Sequence, residues 1–562
     1  MSSNSGGQQN TEESQLHRDL GIIGLLFIAI GSILGSGWLF GALNAAEAAG
    51  PASIIAWAIG GIMALFIALN YAELGTMFPV SGGVVRYPDF AFGSFTSYTF
   101  GWIYWLACAS TTSIEVLAAL QYAKNYLPWL QHLNKNGHPT LSLAGYAVGI
   151  VLLGIFALVN IIGIRWIQRL NNTLVWWKVG IITLVIIAFI VTVFHPGHFS
   201  DPTAGGFFPE GWRGVFSAIS TAGIVFSFLG FRQGVDLAGE TSEPSRFVPI
   251  AVIGSVLITT ALYIGLQIAF IGGLPKNALV HGWTNIGTSF TGDLNQVAAT
   301  FGPLAAIASF MGLTWITVLL YIDAFISPAD TSLIYTTVTA RISYAMGRNQ
   351  NAPTSLAKVN ERGVPWVSVL LTFIAGVIFL FIFPGWGQLV GFITSATILT
   401  FGTAPLALLA MRLELPEKER PFTLPWAYVL SYVAFFAVNL IFYWSGWTKI
   451  WKLMVAVMIG YVIFVIHEFF NKDITPDIEF RSGIWAIIWM VGLTLISWLG
   501  SYPNVSKHAG NLGIIGIGWA IPILAVLAII VMWLAVHWRL PAEKVEGRLE
   551  QAEREMDSGK EL

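Results

Sequence analysis

About fourteen apolar runs of roughly 20 residues or more divide this sequence, each long enough to cross a hydrocarbon core. In lipid every backbone amide and carbonyl must be bonded inside the protein, so runs of this kind form helices. The approximate spans are 21–47, 52–75, 95–126, 141–161, 172–194, 212–239, 248–273, 301–340, 366–384, 387–411, 424–446, 449–470, 482–500 and 513–538. The eighth is long enough to hold a membrane-parallel segment before its crossing. Charged residues are 10% of the chain, against roughly 25% in a soluble domain. The fold class is therefore an all-α polytopic membrane protein. A net charge of −2 supplies no basic field for nucleic acid. One cysteine, Cys108, excludes an intrachain disulfide and a multi-cysteine metal site.

Before the first run, the polar residues 1–20 lack a basic stretch and a small-residue cleavage signature, so that run is expected to be retained. An even number of spans puts both termini on one side. With that side cytoplasmic, the inner segments hold roughly twenty Lys and Arg, including Arg165, Arg169, Arg341, Arg348 and Arg412, against roughly seven outside. The plasma membrane, with both termini inside, is the expected location. Residues 541–562 alternate acidic and basic charges and read equally as a solvated helix or a disordered tail.

The first run is interrupted. Ala29 to Gly41 contains four glycines, with Gly35-Ser36-Gly37 at mid-span. The sixth run repeats the feature at Val225-Phe226-Ser227-Phe228-Leu229-Gly230-Phe231. Isolated glycines let membrane helices pack closely; a matched pair five spans apart points to two broken helices in an inverted repeat, the usual setting of a transporter's substrate site. Free amides at Ser36, Gly37 and Trp38 suit a substrate carboxylate. Carbonyls near Ile33, Phe226 and Ser227 suit its ammonium, with Phe228 and Gly230 beside them. Gly35 and Gly37 would leave the substrate room, and Trp38 reads equally as pocket wall or lipid-facing packing.

These residues resemble the amino acid-polyamine-organocation (APC) superfamily. The resemblance rests on Gly35-Ser36-Gly37, Ala49-Gly50-Pro51, Tyr71-Ala72-Glu73-Leu74-Gly75, Pro79-Val80-Ser81-Gly82-Gly83, Gly239-Glu240-Thr241-Ser242-Glu243-Pro244 and Thr339-Ala340-Arg341, in that order, and covers about residues 20–410. It implies the five-plus-five fold of the sodium-coupled leucine transporter type over 21–411, with repeats at 21–194 and 212–411. Residues 424–538 would be four accessory helices and 539–562 a cytoplasmic tail. The implied function is secondary transport of an amino acid across the bilayer with a proton as coupling ion and no cofactor. Oligomeric state stays open.

Two positions refine that expectation. Many members carry an acidic residue where this chain has Arg232, and a charge at membrane depth, costing at least about 2.5 kcal/mol, needs a partner or a task. An acidic substrate such as aspartate or glutamate is one partner, and Asp236, four residues on, is the other. Gly230-Phe231-Arg232-Gln233, with Asp323-Ala324 and Ser327-Pro328, is similar to the bacterial aspartate-proton symporter branch. Lys178 resembles the lysine that proton-dependent members place at a sodium position, bridging the first helix near Ala29 or Ile30 to the eighth; the alternative is snorkelling to the headgroups. Asp330 is its expected partner or a second proton carrier, with Asp323 on the same helical face. Glu115 is a further proton acceptor, or a polar contact of Thr111 and Ser113. Carriers of neutral or cationic amino acids or polyamines, and a sensor without net transport, remain alternatives. No nucleophile pair or metal-ligand spacing argues for an enzyme.

Overall fold

The computed structural model describes residues 20–134, 139–162, 164–192, 194–275, 277–289, 299–348, 352–360, 362–470, 478–502 and 510–557. The tail before residue 20 and the side chains of Arg165, Arg169 and Arg348 lie outside the described part.

The first apolar run forms α1 (Ile22–Ile33) and α2 (Gly37–Ala49), followed by α3 (Ser53–Met77), α4 (Gly83–Phe92), α5 (Ser94–Ala123), α6 (Leu143–Ile162) and α7 (Ile164–Thr192). The sixth run is α8 (Gly211–Thr221), a 3₁₀ segment Phe226–Arg232 and α9 (Gln233–Asp236). Next come α10 (Pro244–Gly273), α11 (Ile286–Ser289), α12 (Pro303–Phe310), α13 (Thr314–Arg348), α14 (Trp366–Ile382), α15 (Trp386–Phe401) and α16 (Thr403–Glu414). The chain ends with α17 (Ala427–Trp444), α18 (Trp447–Phe470), α19 (Phe480–Leu499), α20 (Ile517–His537) and α21 (Ala542–Asp557).

Among the described residues, eleven helical stretches are long and apolar enough to span a bilayer, or twelve with the bent pair at the sixth run. One of the eleven, Gly37–Met77, joins parts of two expected spans, and the shorter apolar helices Ile22–Ile33 and Trp366–Ile382 fall in the first and ninth. The eighth run divides into α12 and α13, separated by Gly312 at φ +73°. A two-stranded antiparallel hairpin, Gln131–Leu133 with Pro139–Leu141, departs from the purely helical expectation. It occupies the short link between the third and fourth spans, which hydropathy does not resolve.

Burial separates two kinds of helix. α5 and the α15–α16 pair are enclosed by other helices, whereas α7, α14, α18 and α20 expose Val191, Phe381, Val465 and Trp533 on their outer faces. Side chains of that kind are at home in lipid, where apolar surface carries no penalty. The family-like motifs act as joints. Glu73 at the end of α3 accepts from Arg412 Nε and Nη2 at 2.8 and 2.6 Å and from the Leu424 amide at 2.6 Å. Arg341 of α13 donates to Glu240 at 3.3 Å, linking two more motifs.

Within the described part of the tail after α20, residues Ala542–Asp557 are helical. Val545, Leu549 and Ala552 form the buried face of α21. Arg548 donates to both oxygens of Asp89 at 2.8 Å and to Glu479 at 2.8 Å, which fastens α21 to α4 and to the start of α19.

Candidate substrate site

Both expected breaks are present. α1 ends where the Leu34 amide reaches Ile30 and the Gly35 amide reaches Ile33, at 2.9 and 3.0 Å, and α2 resumes at Gly37. The sixth span bends by 43° between α8 and the 3₁₀ segment, with Gly223 at φ +99° in the turn. That conformation strains any residue with a Cβ.

The breaks meet at a small cavity. Ser32, Ile33 and Gly35 line it from the first span, and Phe226, Leu229, Gly230 and Arg232 from the sixth. Thr111 and Glu115 of α5, Thr331 and Tyr335 of α13 and Ile393 of α15 complete the wall. At Gly230 a Cβ would run into the backbone of Ser32 and Ile33, so glycine there lets the two broken helices touch. At Gly35 it would stand 2.8 Å from Glu115 Oε1.

Several expected positions are buried yet off the cavity wall. Ser36 lies behind Glu115, whose carboxylate accepts from the Ser36 amide at 2.8 Å and from its hydroxyl at 3.1 Å. Gly37 makes room for the Ser227 side chain rather than for a ligand. Ser227 Oγ turns back to donate to the Gly223 carbonyl at 2.8 Å. Phe228 packs edge-on against Trp57 and Tyr263, with centroids 5.9 and 5.5 Å apart. Trp38 is fully buried, which removes the lipid-facing reading.

Arg232 is fully buried, and its pairing with Asp236 is not formed. The two residues bracket the helical turn α9, yet their side chains are drawn to different partners. Asp236 instead accepts from the Tyr104 hydroxyl and, at 3.3 Å, from the Val84 amide. Arg232 reaches Thr397 Oγ1 and Cys108 Sγ, each at 3.5 Å, and lies 4.6 and 5.2 Å from the ring centroids of Tyr104 and Tyr335. Its Nε has no hydrogen-bond partner among the described residues. Among the described residues no carboxylate stands within ion-pair distance of it.

The second polar centre surrounds Lys178. It is fully buried, which removes the snorkelling reading, and donates to Asp330 Oδ2 at 2.6 Å, to the Gly31 carbonyl at 3.0 Å and to Thr331 Oγ1 at 3.4 Å. The bridge from first span to eighth is thus formed, one residue beyond the expected carbonyls. Asp323 is set apart from it, accepting from Trp177 Nε1 at 2.8 Å and from Ser327 Oγ at 2.8 Å. The Thr111 and Ser113 hydroxyls are spent on the Ala107 and Gly376 carbonyls, not on Glu115.

Sequence reasoning missed two residues. Tyr263 of α10 extends its hydroxyl to the Ile33 and Ser227 carbonyls, at 3.2 and 3.3 Å, one at each break. Trp386 of α15 donates to Ser36 Oγ at 2.9 Å. An aromatic residue in an apolar run carries no signal that would have marked either.

The amino acid permease family matches residues 20–465. The chain is 34% identical to the glutamate/serine transporter AimA of Bacillus subtilis (strain 168), over 98% of this chain and all of that one. It is 31% identical to the aspartate-proton symporter of the same organism, over 95% and 99%, and 26% identical to its branched-chain amino acid permease BcaP, over 81% and 94%. The first two relatives match nearly the whole chain, whereas the family match ends at residue 465, and the two broken helices meeting at a buried cavity agree with these matches. The chain belongs to the amino acid permease family of the APC superfamily, and is a membrane transporter of the leucine-transporter fold type rather than an enzyme.

Proposed function

We propose that this protein is a plasma-membrane symporter that takes up an acidic amino acid, aspartate or glutamate, together with a proton. One observation carries the substrate class: a fully buried guanidinium, Arg232, lines the cavity between the broken helices with no carboxylate in ion-pair distance among the described residues. Such a cation is stabilised when a carboxylate arrives. Two relatives above 30% identity support this, one being named a glutamate/serine transporter and the other an aspartate-proton symporter.

The amino acid's own carboxylate is assigned to the start of α2 at Ser36, Gly37 and Trp38, where helix-terminal amides carry partial positive charge. Its ammonium is assigned to the Ile33, Phe226 and Ser227 carbonyls. Arg232 then faces the side-chain carboxylate. Lys178 takes the part of a bound cation between the first and eighth spans. Loss of its bond to Asp330 or to the Gly31 carbonyl frees α1 to move; Asp330 is the carboxylate within that centre, and Asp323, on the same helix but bonded to Trp177 and Ser327, is assigned as a second proton carrier outside it. Residues 21–411 act as the transporting core, 424–538 as accessory helices, and both termini face the cytoplasm.

Uptake of labelled aspartate and glutamate into proteoliposomes tests the reading. Accumulation is expected to follow an inward proton gradient, to be indifferent to sodium and to exceed that of serine and arginine. Sodium-driven accumulation without a pH response would refute the coupling; preferential uptake of arginine would refute the substrate class.

A further inference from the structure

We infer that Glu115 is a built-in stand-in for the substrate's carboxylate, and that an arriving amino acid displaces it from Ser36 and thereby causes it to bind a proton. This rests on the placement of the substrate carboxylate at the start of α2.

Both poles of that site are satisfied by the chain itself. The Glu115 carboxylate takes the amide and hydroxyl protons of Ser36, and the Tyr263 hydroxyl lies against the carbonyls assigned to the ammonium. Glu115 comes from α5 while Ser36 lies in the break of the first span, so the contact joins two elements 79 residues apart. It is not a local cap of its own helix. Ser36 Oγ also receives the Trp386 indole N–H at 2.9 Å, so its hydroxyl proton is directed to Glu115. Gly35 leaves the space in which the carboxylate oxygen sits.

Ser36 has one amide proton and one hydroxyl proton, and Glu115 holds both. A substrate carboxylate on the same amide leaves Glu115 buried, without those donors and beside a like charge. Two carboxylates at one site do not both remain ionised, and a buried polar group left unpaired is costly. The charged groups around Glu115 do not relieve it. Lys178 of α7 is bonded to Asp330 of α13. Arg232 of the sixth span faces the cavity, with Asp236 held beyond it by Tyr104 of α5 and by Val84. Tyr263 of α10 and Tyr335 of α13 are neutral phenols. A proton from solution is then the partner that remains: the carboxylate of Glu115 becomes its acid, and the substrate keeps its own charge.

The test is calorimetric titration of the full-length protein in detergent with aspartate and, separately, serine, in buffers of different ionisation enthalpy. Wild-type protein is expected to take up about one proton per ligand bound, and its affinity to fall by about tenfold per pH unit where Glu115 is ionised in the empty state. In Glu115→Gln the uptake falls close to zero, and affinity is flat from about pH 6 to about pH 8. Full proton uptake by Glu115→Gln overturns the inference, as does ligand binding to wild type with no uptake. If the variant does not fold, the infrared difference spectrum of wild type decides: ligand must convert a protein carboxylate band into that of a protonated carboxyl, and its absence is equally fatal. Serine binding with uptake lost in Glu115→Gln, but no aspartate binding, would refute the acidic substrate and keep this inference. Aspartate binding without uptake would do the reverse, and binding of neither ligand would refute both.

Discussion

Replacing Arg232 by Ala separates the roles this residue has been given. The side chain is fully buried, and its neighbours are weak partners: Thr397 and Cys108 at 3.5 Å and two aromatic faces. Cation–π contacts of this kind are worth about 0.5–2 kcal/mol each when desolvated, so the loss to folding is modest and is read from the thermal midpoint. The loss to an acidic substrate is of a different kind. A hydrogen bond to a charged group contributes about 1.5–3 kcal/mol, which is about 10- to 150-fold in kcat/KM. Serine has no side-chain carboxylate and loses none of this. The assay is initial uptake of labelled aspartate and serine into proteoliposomes under one fixed proton gradient, compared as the ratio of their kcat/KM values. That ratio is expected to fall by about 10- to 150-fold in Arg232→Ala, with partial recovery in Arg232→Lys, which keeps the charge without the planar fork. Equal losses for both substrates would show that Arg232 supports the fold of the sixth span and does not read the side chain.

Lys178→Ala strands Asp330 in the protein interior, a loss of about 3–5 kcal/mol; the thermal midpoint is expected to drop and gradient-driven accumulation to cease. The pair Lys178→Ala with Asp330→Asn is expected to recover the midpoint but not accumulation, and recovery of both would remove the coupling role. Cys108 is the only thiol in the chain and lies against Arg232, so its reaction with a maleimide is expected to be slowed more by aspartate than by serine at equal occupancy. Identical protection would place the side-chain carboxylate elsewhere. At the C-terminal helix, burial works against ionisation of Glu479, but Arg548 and Ser94 hold its carboxyl down to about 2. A depressed carboxylate contributes fully above its unfolded value of about 4.3 and loses that contribution as pH falls toward the folded one. Proteolysis within α21 is therefore expected to be constant between about pH 5 and 8 and faster throughout in Arg548→Ala; a steep rise at pH 6 in wild type would contradict the assignment.

Local patterns in the sequence reached some of these features and not others. Apolar runs specify membrane helices because lipid leaves the backbone no alternative, and glycine at 35, 37, 223 and 230 marks where two helices break. Lys178 and Asp330 are legible only through the family resemblance, since a lysine at that depth in an apolar run reads by itself as snorkelling to the headgroups. The partner of Glu115 is not, since Ser36 reaches it only once α5 packs against the first span. Arg232 and Asp236 mislead for a related reason: spacing of four offers a pairing, but Tyr104 and Val84 claim the Asp236 carboxylate while the guanidinium lies against the Tyr104 and Tyr335 rings, contacts made only once α4, α5 and α13 pack against this span. Gly37 reads in the sequence as space for a ligand, but the Ser227 side chain fills it.

The joint between α4 and the sixth span has a practical use. Asp236 receives the Gly82 amide on its carbonyl at 2.9 Å and the Val84 amide on its carboxylate. From the other end of α4, Asp89 holds Arg548, and the Ala91 carbonyl accepts the Leu540 amide at 2.9 Å. A short helix therefore hands any displacement of α9 to the chain's last helix. A fluorophore on the outer face of α21, paired with one on the accessory helices, would follow the transport cycle optically from a position that leaves the substrate's route unlabelled.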